Sequence, residues 1–278
     1  FIVPAGKVAY LGTTDTAYRG APDEPGLDEA DVEYLIASAA AVLQQPPRPH
    51  HAIGVWAGVR PLVQQPGKAP SEISRRDEVR VGPGPIVTVA GGKLTTYRRM
   101  AERVLEKVAV LLGKAGFSRG GSTVPLVGGD EAAQRRARRD AARLGDRCLE
   151  ERLWATYGQR AASLVAVIAR DPSAAEPVGG LEELTKAELD FFVRNEMALT
   201  VDDVLRRRCR VAMFDVPRAL AAADAVADGL AAYDGTVSWT CEQWRAWRKL
   251  LGGQLDVARG SGSKAAEGCS AKRLEFSS

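Results

Sequence analysis

The chain has 278 residues, and its 38 basic and 35 acidic side chains leave a net charge of only +3. With 45% hydrophobic residues at this length it can bury the core of one large domain or two smaller ones, and it reads as a soluble globular protein. So small an imbalance excludes any inference of a partner from overall charge; only local clusters can support one.

In chain order, residues 1–15, FIVPAGKVAYLGTTD, place two short apolar segments around a Pro-Ala-Gly-Lys turn, the pattern of a hairpin. A strand already under way at Phe1, with no initiator methionine, leads us to expect sequence upstream of it. Residues 28–43 repeat apolar positions near the helical period, with acids crowding the first turn where the helix dipole favours them. The segment PPRPHH, 46–51, breaks the chain, and 53–62 reads as a strand ending in an Arg-Pro turn. Residues 63–85 are rich in Pro, Gly and charge, a loop with a short strand near 78–81. The β-branched run IVTVA, 86–90, has the length of a buried strand.

From Leu94 on, Tyr97, Ala101, Val104, Leu105, Val108 and Leu112 share one face and Arg98, Arg99, Glu102, Arg103 and Glu106 the other, which predicts an amphipathic helix. The glycine-rich stretch 113–129 marks a domain boundary. Beyond it no convincing strand is visible, and helices are expected at 131–144, 149–158, 160–169, 185–197, 200–214 and 217–233. Thr200 followed by Asp203 has the spacing of a capping box with Asp in place of Glu. Residues 259–278, poor in apolar side chains and rich in Gly and Ser, are expected to be disordered.

Chemistry-bearing residues are few. Cys148, Cys209, Cys241 and Cys269 are scattered without a C-x-x-C, which predicts reduced thiols and no metal site. With His50 and His51 as the chain's two histidines, both beside prolines, a histidine metal site or a Ser-His-Asp triad has little to draw on. No apolar run approaches the ~20 residues that span a bilayer, and no signal peptide is visible.

The corner GGKLTT, 91–96, lies between a predicted strand and a predicted helix. It is not a Walker A loop, because Val87 stands where that pattern needs glycine and Leu94 where it needs a hydroxyl. Two readings stay open: a plain tight turn, or a place where glycines let an electron-rich ligand approach the backbone N–H groups that open the helix. Arg60 in GVRPL and Arg75 in ISR are also open. Each is either a solvated surface arginine or a fork for phosphate or carboxylate.

Together these blocks carry a resemblance. LGTTDTAYRGAP (11–22), GVRPL (58–62), ISR (73–75) and GGKLTTYRRMAE (91–102), in this order and spacing, resemble the FAD-dependent glycerol-3-phosphate dehydrogenases. Residues 187–211, AELDFFVRNEMALTVDDVLRRRCRV, resemble the helical C-terminal domain of that family, and the likeness extends over roughly residues 1 to 235. It implies an α+β chain in which residues 1–115 form the C-terminal part of an FAD-binding and substrate-cap domain and residues 123–250 an all-helical domain. The implied reaction is oxidation of sn-glycerol 3-phosphate to dihydroxyacetone phosphate, with hydride passing from C2 to the flavin and electrons then to a quinone or other acceptor.

Position by position, the resemblance implies that Arg60 and Arg75 are catalytic and substrate-binding, with Lys93 beside them. Thr14 and Asp15 are implied at the edge of the substrate site, and Gly91, Gly92, Lys93, Leu94 and Thr95 against the pyrimidine end of FAD. It further implies a cytoplasmic protein, peripheral at the inner face of the membrane or free, with a homodimer as a compatible assembly. The family's G-x-G-x-x-G unit and an upstream histidine have no counterpart here, and residues 238–254 do not obviously continue the family. The isolated chain is therefore expected to hold little flavin.

Two rival readings belong to other classes. One is a non-catalytic remnant acting as an interaction module. The other is nucleic-acid binding through the arginine clusters at 135–143 and 206–210. Asp140, Asp202 and Asp203 among those arginines favour an ordinary solvated helix face, so no nucleic-acid partner is expected.

Overall fold

A computed structural model describes residues 1–23, 25–60, 62–63, 67, 77–114, 124–233 and 241–260. Arg75 and the tail beyond residue 260, for which disorder is expected, lie outside the described residues. The chain divides into two compact units, one of residues 1–14, 20–58 and 167–278, the other of 15–19 and 59–166. The glycine-rich stretch 113–129 falls within the second.

In the first unit the predicted hairpin forms. Strand β1 (Ile2–Ala5) runs antiparallel to β2 (Val8–Leu11), with Ile2 opposite Leu11 and Ala5 opposite Val8. Gly6 takes the left-handed φ of +64° that the turn needs. Helix α1 (Glu29–Ala40) starts at Asp28, whose carboxylate accepts from the Ala30 N–H at 3.1 Å, with Glu29 and Asp31 in its first turn. Residues 49–51 form a single 3₁₀ turn.

The strand expected over 53–62 is not formed. Residues 53–60 are irregular, and the entry to this segment is held from elsewhere: the Val216 N–H donates to the Ile53 carbonyl at 2.8 Å, and Arg259 to the carbonyl of Ala52 just before it. Gly54 lies so close to the Met213 carbonyl that a Cβ there would collide with it. Close packing of backbone on backbone, rather than a ladder, explains the glycine.

In the second unit β3 (Glu78–Val81) pairs antiparallel with β4 (Val87–Ala90), and a 3₁₀ turn at 94–96 leads into α2 (Tyr97–Leu111). The strand is not the buried one that its composition suggests. Ile86 and Val89 are exposed, and α2, strongly amphipathic as expected, has no buried residue at all. Helices α3 (Glu131–Asp140) and α4 (Arg147–Tyr157) follow, started by Asp130 and Asp146. Helix α5 (Ala161–Arg170) carries the chain back to the first unit.

That unit continues with a short hairpin of β5 (Pro177–Val178) and β6 (Leu181–Thr185), a small sheet in a region that is otherwise mainly helical, as expected of the C-terminal domain. Gly179 and Gly180 both take positive φ in its turn, and a Cβ on Gly179 would fall 2.7 Å from the methyl of Ala222. Helix α6 (Lys186–Glu196) begins with a reciprocal box: the Glu188 N–H donates to the Thr185 hydroxyl, and the buried Glu188 carboxylate accepts from the Thr185 N–H at 2.8 Å.

The helix expected over 200–214 is broken. Thr200 and Asp203 cap each other as their spacing predicts, but residues 203–208 widen into a π-helical turn. The chain then reverses at Arg210, φ +62°, into α7 (Val211–Phe214) and α8 (Val216–Ala231). The last helix, α9 (Cys241–Ala258), starts inside the helical domain expected up to residue 250 and runs past it; it buries Trp247, Leu251, Leu255 and Ala258 at helical spacing. Apart from Ala39, every buried apolar residue described lies at Leu153 or beyond.

Candidate functional site

The Gly-Gly-Lys corner takes the form its sequence suggests, a turn from strand to helix. Gly91 and Gly92 both have left-handed φ, +73° and +88°, which L-residues with a Cβ rarely adopt. A Cβ on Gly92 would fall 2.5 Å from the tip of Met100 and 3.2 Å from the Asp77 Cβ, so the bend is tight against its own unit. Lys93 then returns to extended backbone, and its carbonyl accepts from both the N–H and the hydroxyl of Thr96. Helix α2 has neither a side-chain cap at Thr96 nor an acid in its first turn. Its first N–H, that of Tyr97, donates to the Leu94 carbonyl of the preceding 3₁₀ turn, and the positive end of the dipole lies at this end of the helix.

Lys93, Leu94 and Thr95 are exposed on this bend. Asp77 sits beneath it as a largely buried carboxylate in a 2.7 Å ion pair with Arg103 of α2. This clamp ties the entry of β3 to the helix and fixes the bend from below. Sequence alone gave it no weight; its signal was an acid just before a predicted strand and an arginine on the polar face of a predicted helix. On the same face Arg99 pairs with Glu102 at 2.8 Å, and that hydrogen bond raises the guanidinium pKa. Arg98 donates to the Val124 carbonyl at 2.9 Å.

Of the other predicted site residues, Arg60 and Asp15 are brought together in an ion pair of 2.8 Å within the second unit. The carboxylate, expected at the edge of the substrate site, thus holds the guanidinium expected to bind substrate. Thr14 is half-buried in the first unit, and Arg75 lies outside the described residues. The arginine clusters that suggested nucleic acid are engaged with acids: Arg135 with Glu131, Arg138 with Glu151, Arg139 with Asp140, Arg143 with Glu150, Arg207 with Asp202 and Asp203, and Arg208 with Glu196. Among the described residues, no group of three or more metal-ligating side chains converges, and no helix is long and apolar enough to cross a membrane.

Comparison with known proteins gives this arrangement a context. Residues 121–242 match the C-terminal domain of alpha-glycerophosphate oxidase. The aerobic glycerol-3-phosphate dehydrogenase of Staphylococcus haemolyticus is 34% identical over 83% of this chain and 43% of its own length. Glycerol-3-phosphate dehydrogenase 2 of Mycobacterium bovis is 31% identical over 86% of this chain and 41% of its own. The crystal structure of the Bacillus halodurans glycerol-3-phosphate dehydrogenase, complexed with FAD, superposes with a TM-score of 0.70 at 26% identity, covering 94% of this chain and 51% of that one. The chain is thus similar to part of the glycerophosphate oxidases and dehydrogenases, a class of oxidoreductases.

Within that class the chain is a relative of the FAD-dependent glycerol-3-phosphate dehydrogenases and matches their C-terminal portion. It spans about two fifths of the length of the two dehydrogenases matched by sequence. Helix α9 lies almost wholly past the matched domain, yet it contributes four core residues.

Proposed function

We propose that this chain is the C-terminal, substrate-side portion of a flavoenzyme that oxidises sn-glycerol 3-phosphate to dihydroxyacetone phosphate. In this reading residues 1–115 complete a flavin and substrate-cap domain and residues 123–250 form the appended, mainly helical domain. The observation that carries it is the Gly91–Gly92 corner opening onto the uncapped start of α2, in a chain whose relatives bear that activity in their names.

The corner fits a flavin: two glycines without side chains admit a planar edge, and the helix N-terminus supports electron-rich oxygen there. Gly91, Gly92, Lys93, Leu94 and Thr95 would hold it, and FAD, when bound, supplies the acceptor for the hydride leaving C2. Lys93, Arg60 and Arg75 provide cationic groups for the substrate phosphate. Asp15 orients the Arg60 fork through their ion pair. The family likeness alone supports a quinone as final acceptor, a cytoplasmic protein peripheral at the inner membrane face, and a homodimer.

The test is a chimera in which the part of the Bacillus halodurans dehydrogenase that this chain does not match is joined ahead of residue 1. It is expected to bind FAD and to bleach a dichlorophenolindophenol acceptor with sn-glycerol 3-phosphate but not with glycerol. A folded, yellow chimera indifferent to glycerol 3-phosphate overturns the reading.

A further inference from the structure

Two adjacent glycines leave a backbone unusually free, so the Gly91–Gly92 corner needs an outside hold to keep one shape. Of its own it has the Lys93 carbonyl, which accepts from the N–H and hydroxyl of Thr96, and no side chain caps α2 there. Asp77 supplies the hold. The register sets Glu78 opposite Ala90, which brings the residue before β3 level with the residue after β4, and a Cβ on Gly92 would lie 3.2 Å from the Cβ of Asp77. The Asp77 carboxylate, 11% exposed, pairs at 2.7 Å with Arg103 in the second turn of α2. The pKa of Arg99, one turn earlier, is raised chiefly by its hydrogen bond to Glu102 and in smaller part by Asp77. Covering a carboxylate costs free energy even when it is paired, and an apolar side chain could back a plain turn equally well. What the ion pair adds is a fixed distance and direction between the strand entry and the helix.

We propose that Asp77 and Arg103 are positioning residues for the oxidation proposed above, a reading on which this inference rests. Asp77 stands two residues after Arg75 in the sequence, and its Cβ backs Gly92, the neighbour of Lys93. One clamp therefore ties the segment of a substrate-site arginine to the corner that would receive the flavin and to the lysine beside it. Neither member of the pair has to touch the reacting atoms; they act through Arg75, Lys93 and the corner. A misplacement of about 1 Å costs on the order of a hundredfold in rate, so losing the pair should lower turnover more than it weakens substrate binding.

The chain by itself supplies the first readout. Lys93 and Leu94 are exposed, Leu94 by 88%, so a lysine-specific protease can cut between them, and the rate reports how firmly the corner is held. Asp77→Asn and Arg103→Met are each expected to speed that cut by about fivefold or more while cutting after Lys186 stays unchanged. Arg103→Lys should restore most of the protection, and Arg80→Met, which removes an exposed ion pair on β3, should change nothing. Arg103 is 44% exposed, so its variants decide the matter if Asp77→Asn does not fold. In the chimera described above, the two charge-removing variants are expected to lower kcat by about tenfold or more, with KM for sn-glycerol 3-phosphate within about threefold and FAD still bound. Arg103→Lys should recover most of that kcat. Unchanged cutting after Lys93 in both variants overturns the proposal. So does faster cutting with kcat unchanged, or a fall in kcat that Arg103→Lys does not reverse. A chimera without turnover before any substitution would instead sink the functional reading, and the cleavage rates would then decide alone whether the pair holds the corner.

Discussion

The stretch up to residue 127 and the stretch from residue 150 to 258 are built from similar residues and end differently. In the later stretch Leu153 and Leu164 of one unit and Leu184, Val204, Leu205, Val216 and Val226 of the other are all but inaccessible to water, and the buried Glu188 is spent on a helix cap. The earlier stretch has well-formed hairpins and an amphipathic helix, yet its large apolar side chains remain in contact with solvent among the described residues. Local pattern is enough to shape a strand, a glycine bend and a helix; a core needs a second layer. The difference shows how secondary structure can be specified completely by a segment that cannot stabilise itself.

Paired substitutions sharpen that contrast. The largest effect is expected for Leu205→Ala in the later stretch, where truncating a fully buried leucine costs about 2–5 kcal/mol, read as a drop in the urea midpoint. Glu188→Ala should follow at about 1–3 kcal/mol, because it leaves the buried Thr185 hydroxyl and N–H unpaired; Glu188→Gln should restore part of the loss.

Raising the pH gives a third comparison. Burial pushes the Cys209 thiol up to about 11, above the ~8.5 of an unfolded chain. In that window the unfolded state loses a proton the folded state keeps, so stability is intact below ~8.5 and falls by at most about 1.4 kcal/mol per pH unit until about 11. Cys209→Ser should flatten that slope in denaturation curves, and peptide-resolved alkylation at pH 8 should mark exposed Cys148 well before Cys209. The smallest effect is expected for Leu112→Ala, within about 0.5 kcal/mol in the chain alone, since the side chain is already in water. A loss of 2 kcal/mol or more there would break the contrast.

The legible features were those written locally. The hairpin at the start of the chain, the acidic first turn of α1, the Thr200–Asp203 box and the strand–glycine–helix corner each need only a few adjacent residues. Less legible was anything decided by a distant partner. Residues 53–60 have the composition of a strand but yield their backbone to the α7–α8 turn. The β5–β6 hairpin turns on Val-Gly-Gly-Leu among helices, and α9 carries Gly252 and Gly253 within its helical repeat, so neither has a strong local signal. In the candidate site the corner was readable from sequence. The Arg60–Asp15 pair and the Asp77–Arg103 clamp were not, since each joins residues far apart in the chain.

The indole N–H of Trp247 donates to the buried carboxylate of Asp202 at 2.7 Å, across forty-five positions, while Arg206 and Arg207 hold the same group. During synthesis that carboxylate is made well before its indole, so until α9 has emerged it has Arg206 and Arg207 of its own segment but not Trp247. Translation arrested just before residue 241 would therefore leave a nascent chain whose helices are written but not latched, the state most exposed to proteases and chaperones.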